Sequence, residues 1–215
     1  MIELVSDFER DGCVVIPNVV AATDLAHARS FCDSVVLSGA GTRDLLEHAW
    51  CRAMAHAVRS VPAIHALLGA ATTAIQCTLF VKDTDHNWLV PLHRDWSIPV
   101  KARVASSRWS AWSMKQSVVF GRPPPEVLQS LVAVRVHLED TDVKNGALQV
   151  VNGSHQTEAD NGERSSHYVS RGGALVMRPL LLHASSKLVS GSRRVLHFVY
   201  GPPTLPDGAE WANAV

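Results

Sequence analysis

The feature that most restricts the fold of this chain is a change of texture at Gly69. Beyond it the sequence becomes a series of short strand-like runs cut by turn residues. The runs are TTAIQCTLFVK (72–82), NWLVPLHRDW (87–96), LQSLVAVRVHLED (128–140), GALQVVNG (146–153), GGALVMRPLLLH (172–183) and RRVLHFVYG (193–201). Many short strands punctuated by Gly, Pro, Asn and Asp predict an antiparallel sandwich or barrel. Before Gly69, GCVVIPN (12–18) reads as one short strand stopped at Pro17 and Asn18, and three helical segments follow it. Leu25, Ala28 and Phe31 recur at helical spacing and place a helix over about 24–38, capped by Asp24. A second helix is expected over about 43–58, started by Thr42 or Asp44, with Leu45, Leu46, Ala49 and Met54 on its buried stripe. A third covers 61–69. Helices first and strands second give an α+β class, mainly β, with the helices packed on one side. Residues 1–215 read as one domain, helical over about 20–69 and β over about 70–201.

Composition narrows the partners. With 215 residues and 47% of them apolar, the chain can bury a sizeable core. Lys and Arg together number 20, as do Asp and Glu, so there is no basic excess to favour nucleic acid or a membrane surface. The start, MIELVSDFERDG, is acidic and mixed, without the basic and apolar stretches of a signal peptide. No uncharged run approaches the roughly 18 apolar residues of a membrane span. Cys13, Cys32, Cys51 and Cys77 are scattered and form no CxxC pair, so they read as reduced core thiols of a cytoplasmic protein. Residues 101–127 form a long connection of weak periodicity, either functional or an ordinary surface excursion.

Eleven histidines select nothing by number alone. His27, His48, His56 and His65 fall in helical segments and need no function. His93-Arg94-Asp95 is different, because residues i and i+2 of a strand share a face and can reach one ion, with Arg94 pointing the other way. His183 ends the run GALVMRPLLLH, 183 − 95 = 88 residues after Asp95. Only a sheet closing on itself could bring it to the same metal. Two imidazoles and one carboxylate on one face leave coordination positions open, as non-haem Fe(II) oxygenases require. Arg193 and Arg194 follow ten and eleven residues after His183, where a hairpin would return them toward the metal. A guanidinium there can hold a carboxylate in a bidentate fork. A 2-oxoacid is the expected owner of that carboxylate, since O2 chemistry at iron needs two further electrons.

The segments DGCVVIPNVV, VPLHRDW, VHLEDTDVKNGALQVVNGSH, MRPLLLHASS and RRVLHFVYGP, in this order, cover nearly the whole chain. The set resembles the phytanoyl-CoA dioxygenase family of Fe(II)/2-oxoglutarate oxygenases. The resemblance implies a double-stranded β-helix, or jelly roll, with iron at one mouth. It implies His93, Asp95 and His183 as metal ligands and Arg193 as the 2-oxoglutarate arginine. The loop after His183 is one residue short, which keeps Arg194 open, but Arg193 leaves the following VLHFVY in the family's register. Arg135 matches a further cofactor-side position of some relatives, against a plain reading as a partner for Glu139 or Asp140. His155 is given a scaffold role. The chain departs from the family's pattern at Arg94, commonly Gln, and at Asn152, commonly Pro, and it is shorter than many relatives.

The function implied is hydroxylation of an unactivated C–H of a small organic molecule, consuming Fe(II)-bound O2 and 2-oxoglutarate and releasing succinate and CO2. Desaturation, epimerisation or cyclisation would use the same site. An Fe(II) halogenase would carry a small residue where Asp95 stands. A non-catalytic β-barrel binding protein would not need the triad, and a cupin-type isomerase would need neither Arg193 nor O2. Trp88, Trp96, Trp109 and Trp112 read either as pocket walls or as core and loop anchors. Lys101, Arg103 and Arg108 read as a solvated basic loop.

Overall fold

The computed structural model describes residues 1–35, 41–158 and 162–215. Four helices come early: α1 (Ile2–Asp11), α2 (Ala22–Ser34), α3 (Ala49–Ser60) and α4 (Pro62–Leu68). Between them lie β1 (Cys13–Ile16) and β2 (Gly41–Thr42). The strands that follow are β3 (Thr73–Lys82), β4 (Val90–His93), β5 (Ile98–Val100), β6 (Ser110–Lys115), β7 (Val118–Arg122), β8 (Val132–His137), β9 (Leu148–Val150), β10 (Ser165–His167), β11 (Ala174–Met177), β12 (His183–Ser185) and β13 (Arg193–Gly201). A short helix, α5 (Pro125–Ser130), precedes β8.

Six strands form a large sheet in the order β1-β11-β8-β13-β3-β2, and four form a smaller one in the order β10-β9-β12-β4. Strands β5, β7 and β6 make a third sheet of three. Every pairing between strands in these sheets is antiparallel. The chain passes repeatedly between the two larger sheets, from β3 to β4 and from β11 through β12 to β13. That is the winding of a jelly roll.

The period-two pleat sorts side chains to the two faces of the large sheet. Val132, Val134 and Val136 of β8, Leu196, Phe198 and Tyr200 of β13, and Cys77, Leu79 and Val81 of β3 all join one buried cluster with the helices. From the helices come Phe8, Leu25, Ala28, Met54, Val58 and Ile64. Each such aliphatic or aromatic side chain stabilises the fold by roughly 1.5–3 kcal/mol when fully buried. The alternate residues face inward: Arg135, Arg193, His197 and Phe80 line one cavity.

Several expected elements differ in detail. The helix expected over 43–58 is broken at His48, whose ψ of 131° is extended. Leu45 and Leu46, both buried, lie ahead of the break on a single turn of 3₁₀ helix, Leu45–Glu47. Ala49, placed on the buried stripe, is exposed, and Cys51 takes its place in the core. The helix expected over 24–38 runs from Ala22 to Ser34, and its expected residues 36–38 lie outside the described residues. Residues 128–130, expected to open a strand, are the end of α5. Helix α1 was not anticipated, although Leu4, Val5 and Phe8 carry its apolar spacing, and Gly12 at φ 79° ends it.

The 101–127 stretch supplies β6 and β7 of the third sheet and the start of α5. The Trp109 and Trp112 rings stack at 5.7 Å, and Trp109 donates to Asp207 at 3.1 Å. Gly121 accommodates the Trp112 ring, for an added Cβ would lie 2.5 Å from it. Gly121→Val is expected to displace that ring and cost about 1–3 kcal/mol, the usual penalty of overpacking. Urea denaturation of the variant against the wild type checks this, and an unchanged midpoint would refute the wedge.

Candidate metal centre

The site lies where the small sheet faces the inner side of the large one. His93 ends β4 and His183 begins β12, and the two are direct cross-strand partners. Their rings lie 4.2 Å apart between centroids. Asp95 falls just past the end of β4, so the shared strand face expected for His93 and Asp95 does not apply. Instead the Asp95 backbone N–H donates to the Pro179 carbonyl at 2.9 Å, which turns the carboxylate in toward the two imidazoles. Its Oδ1 is 3.8 Å from His93 Nε2 and its Oδ2 is 3.8 Å from His183 Nε2. One ligand atom from each of the three residues lies within 4.8 Å of the others.

The imidazoles are set for ligation by their own strands. His93 Nδ1 bonds the Pro91 carbonyl at 2.8 Å and His183 Nδ1 bonds the Leu181 carbonyl at 2.7 Å. A carbonyl only accepts, so each ring carries its proton on Nδ1 and presents an unprotonated Nε2. Burial pushes His183 below the usual histidine range, against the pull of Asp95, and keeps it neutral. Burial opposes the charge on Asp95, but His183, His197, His93 and Arg135 outweigh it and hold the carboxyl below its ordinary value. The Asp95 side chain keeps 43% of its surface open to the adjoining cavities.

One cavity, of about 110 Å³, is lined by all three triad residues together with Arg135, Arg193, His197, Trp88 and Leu148. Arg193 is buried, donates through Nη1 to the Gly146 carbonyl, and leaves its Nε without a partner. Arg135 is buried too, bonds His197 Nδ1 at 3.0 Å, and likewise leaves Nε unpartnered. Its expected alternative partner, Glu139, is taken by Arg194. Arg194 faces the other side of the sheet, held by Glu139 and Asp33. The two candidate arginines are thus separated by strand parity. The return to Arg193 is not a hairpin, since β12 and β13 belong to different sheets.

Three features were not anticipated. Lys82, at the inner end of β3, is wholly buried. Its Nζ donates to Ser185 Oγ at 2.7 Å and the Ser186 carbonyl at 2.5 Å, and lies 5.6 Å from the Trp88 ring centre. The signal was present: a lysine continuing an alternating strand run on its inward parity. His197 had the same parity signal. Burial and the Arg135 charge push it down to about 3. Arg94 points away from the metal side, as expected, but is buried there, and donates to the Ser154 carbonyl at 2.5 Å and the Leu180 carbonyl at 2.7 Å. It fastens the segment after β4 to the Gly153–Ser154 turn.

The expected turn at Asn145-Gly146 has Gly146 at φ 73°. A Cβ there would meet the Ser186 carbonyl at 2.8 Å and Lys82 Cδ at 3.1 Å. Glycine therefore allows both the turn and the close passage of Lys82 beneath it. His155 packs on Gly12, away from the triad's ligand atoms. Of the tryptophans, Trp88 lines the cavity, Trp109 and Trp112 anchor the third sheet, and Trp96 lies under the Arg122 guanidinium. Lys101 pairs with Glu210, and Arg108 with Glu126 and Asp207, on the surface. All four cysteines are buried free thiols. Among the described residues no helix is long and apolar enough to cross a membrane.

The family model for phytanoyl-CoA dioxygenase matches residues 8–196. No curated protein sequence matches the chain. Among solved structures, HygX from Streptomyces hygroscopicus, with nickel and 2-oxoglutarate bound, is similar at a TM-score of 0.69 and 18% identity, over 96% of this chain and 89% of that one. The non-haem α-ketoglutarate-dependent carbocyclase SnoK from nogalamycin biosynthesis gives 0.67 and 16%, over 96% and 88%. The α-ketoglutarate-dependent epimerase SnoN from the same biosynthesis gives 0.67 and 19%, over 96% and 83%. At these identities the likeness establishes the fold.

Burial, with Arg193 and Arg135 nearby, lowers Lys82 from 10.5 to about 7. The unfolded chain then binds more protons than the folded one between those pH values, so stability rises with pH across that window. The metal-free protein is expected to be more stable to urea at pH 9 than at pH 7, with Lys82 supplying the rise. Lys82→Met keeps the apolar stem and should lose that rise. An equal rise in the variant would remove Lys82 as its source.

Proposed function

Because the chain belongs to the phytanoyl-CoA dioxygenase family of iron- and 2-oxoglutarate-dependent oxygenases, we propose that His93, Asp95 and His183 hold one Fe(II) and that Arg193 holds 2-oxoglutarate. The observation that carries this reading is one cavity with the triad on one wall and a buried guanidinium, its Nε unpartnered, on another. The donor set suits iron: two imidazoles and one carboxylate, with no thiolate in the cavity lining. The cations suit a dicarboxylate, for Asp95 is the only acid lining the cavity among the described residues.

When bound, iron and 2-oxoglutarate supply O2 activation, with the cosubstrate decarboxylated to succinate and CO2 and a substrate C–H oxidised. The protein's own part is positional. The Pro91 and Leu181 carbonyls fix the imidazole tautomers. Gly146 aims Arg193 across the cavity, and Arg135 adds a second positive charge beside His197. Trp88 and Leu148 contribute apolar surface to the cavity lining. Hydroxylation of a small organic molecule is the assigned outcome, since Asp95 provides the carboxylate that halide-binding iron sites lack. Cyclisation or epimerisation is the second reading, favoured by the likeness to SnoK and SnoN, which carry those activities in their names.

The test is 2-oxoglutarate turnover by the Fe(II)-loaded protein, followed as succinate. Asp95→Ala is expected to abolish it. Arg193→Ala should raise KM for 2-oxoglutarate roughly 10- to 100-fold, the value of a lost charged hydrogen bond. Arg194→Ala, which removes contacts with Glu139, Asp33 and the Arg29 carbonyl on the far side of the sheet, should leave that KM unchanged. A KM effect from Arg194 in place of Arg193 would reverse the assignment, and wild-type turnover by Asp95→Ala would end it.

A further inference from the structure

A second cavity, also of about 110 Å³, adjoins the first and shares with it Phe80, Asp95 and His197. We propose that this chamber is the substrate site and that it takes a small organic anion, a carboxylate or phosphate, whose charge is held by Lys115 and Arg43. The inference rests on the functional reading above and adds to it the chemical class of the substrate.

The charges facing the chamber are unbalanced. Lys115 and Arg43 line it, and Asp95 is its one acid among the described residues. Once Asp95 serves as a metal ligand, its charge is spent on the ion, and the two cations face the chamber without an anion. Lys115 Nζ donates to Ser97 Oγ at 3.1 Å and lies 4.6 Å from the Phe120 ring centre. Both are neutral partners. The Arg43 side chain forms no hydrogen bond or ion pair among the described residues, while its backbone N–H is held by the Asp44 carboxylate and Gln116. Burial, reinforced by Arg43, lowers the Lys115 pKa, and Asp95 works against that.

The two cations are brought together by built structure. The turn between β6 and β7 places Gln116 at φ 47° and Ser117 at φ 63°, a conformation that side chains other than glycine adopt at some cost. That turn carries Lys115 inward. Gln116 then reaches across to β2, where its Oε1 accepts the Arg43 N–H at 3.0 Å and its Nε2 donates to the Gly41 carbonyl at 3.5 Å. Two like charges are held at one mouth by a strained turn and a side-chain tie. An anion between them relieves their repulsion and supplies the missing acceptors. Ile75, Ile98, Leu131 and Val199 make much of the remaining lining apolar, with a Gln76–Thr78 polar pair at 2.7 Å. The occupant therefore has one anionic end and a short, mainly apolar body leading toward Asp95.

The experiment uses the full chain loaded with Ni(II) and 2-oxoglutarate, which fills the metal centre without turnover. Calorimetry would measure binding of a set of small aliphatic and aromatic carboxylates and phosphate monoesters, each beside its neutral amide or alcohol. Binders are expected among the anions alone, and the carboxylate and phosphate arms identify which group fits. Lys115→Gln and Arg43→Gln should each weaken the best anion at least about tenfold, and Lys115→Arg should restore it. Binders that are neutral, anion binding that survives both variants, or no anionic binder at all would overturn the inference. So would an equal fall in 2-oxoglutarate affinity, which would point to general damage. Failure of the wild type to bind Ni(II) and 2-oxoglutarate would instead strike the functional reading beneath it.

Discussion

Burial of the outer face of the six-stranded sheet against α1 to α4 fixes which side chains of β3, β8 and β13 face out, and the site depends on that parity. Val134, Leu196, Phe198 and Leu79 cannot leave the helical core without exposing large apolar areas. Their neighbours Arg135, Arg193, His197 and Phe80 are thereby driven inward. A one-residue slip of β13 would put Arg194 in the cavity and Arg193 against Glu139. The register pairs Val195 with Phe80 and with His137, and so determines which of the two arginines faces the cavity.

Burying cations is costly, and this fold buries several within one barrel. Lys82, Arg135 and Arg193 all have their pKa values lowered, with burial as the largest cause in each case. The same low-dielectric surroundings keep His183 and His197 neutral, which is the form that can ligate a metal or accept a hydrogen bond. Neutral imidazoles and charged guanidiniums thus share one cavity without competing for protons.

Much of this was legible from residue order, for particular reasons. Alternation in 72–82 and 193–201 gave β3 and β13 nearly to the residue, because both are long and central to the sheet. The triad was readable because His93, Asp95 and His183 each stand beside a strand-ending pattern. The inward roles of Lys82 and His197 escaped, although their parity was available, because a lone Lys or His in a strand is usually a surface or core residue. Arg94 does point away from the triad, as expected, but what lies on that side is the Gly153–Ser154 turn, a tertiary contact that local spacing does not encode. The break at His48 and the hairpin of β6 and β7 depend on tertiary packing, on Leu45 and Leu46 both being buried and on Gln116 reaching Gly41, which local spacing does not encode.

The way the inner cations are fastened has a consequence of its own. Lys82 is tied to a hydroxyl and a carbonyl, Arg193 to a carbonyl, and Arg135 to a neutral imidazole. Arg194, on the opposite face, is tied to carboxylates. Dipoles can aim a cation but cannot cancel it, whereas a carboxylate does both. Arg193 and Arg135 therefore keep a directed positive charge inside the barrel, offset in part by Asp95, whereas Arg194 on the outer face is neutralised by its carboxylates. A mobile dianion in solution meets an attraction that extends beyond contact distance and weakens with added salt. The barrel draws its guest by field first and recognises it by shape second.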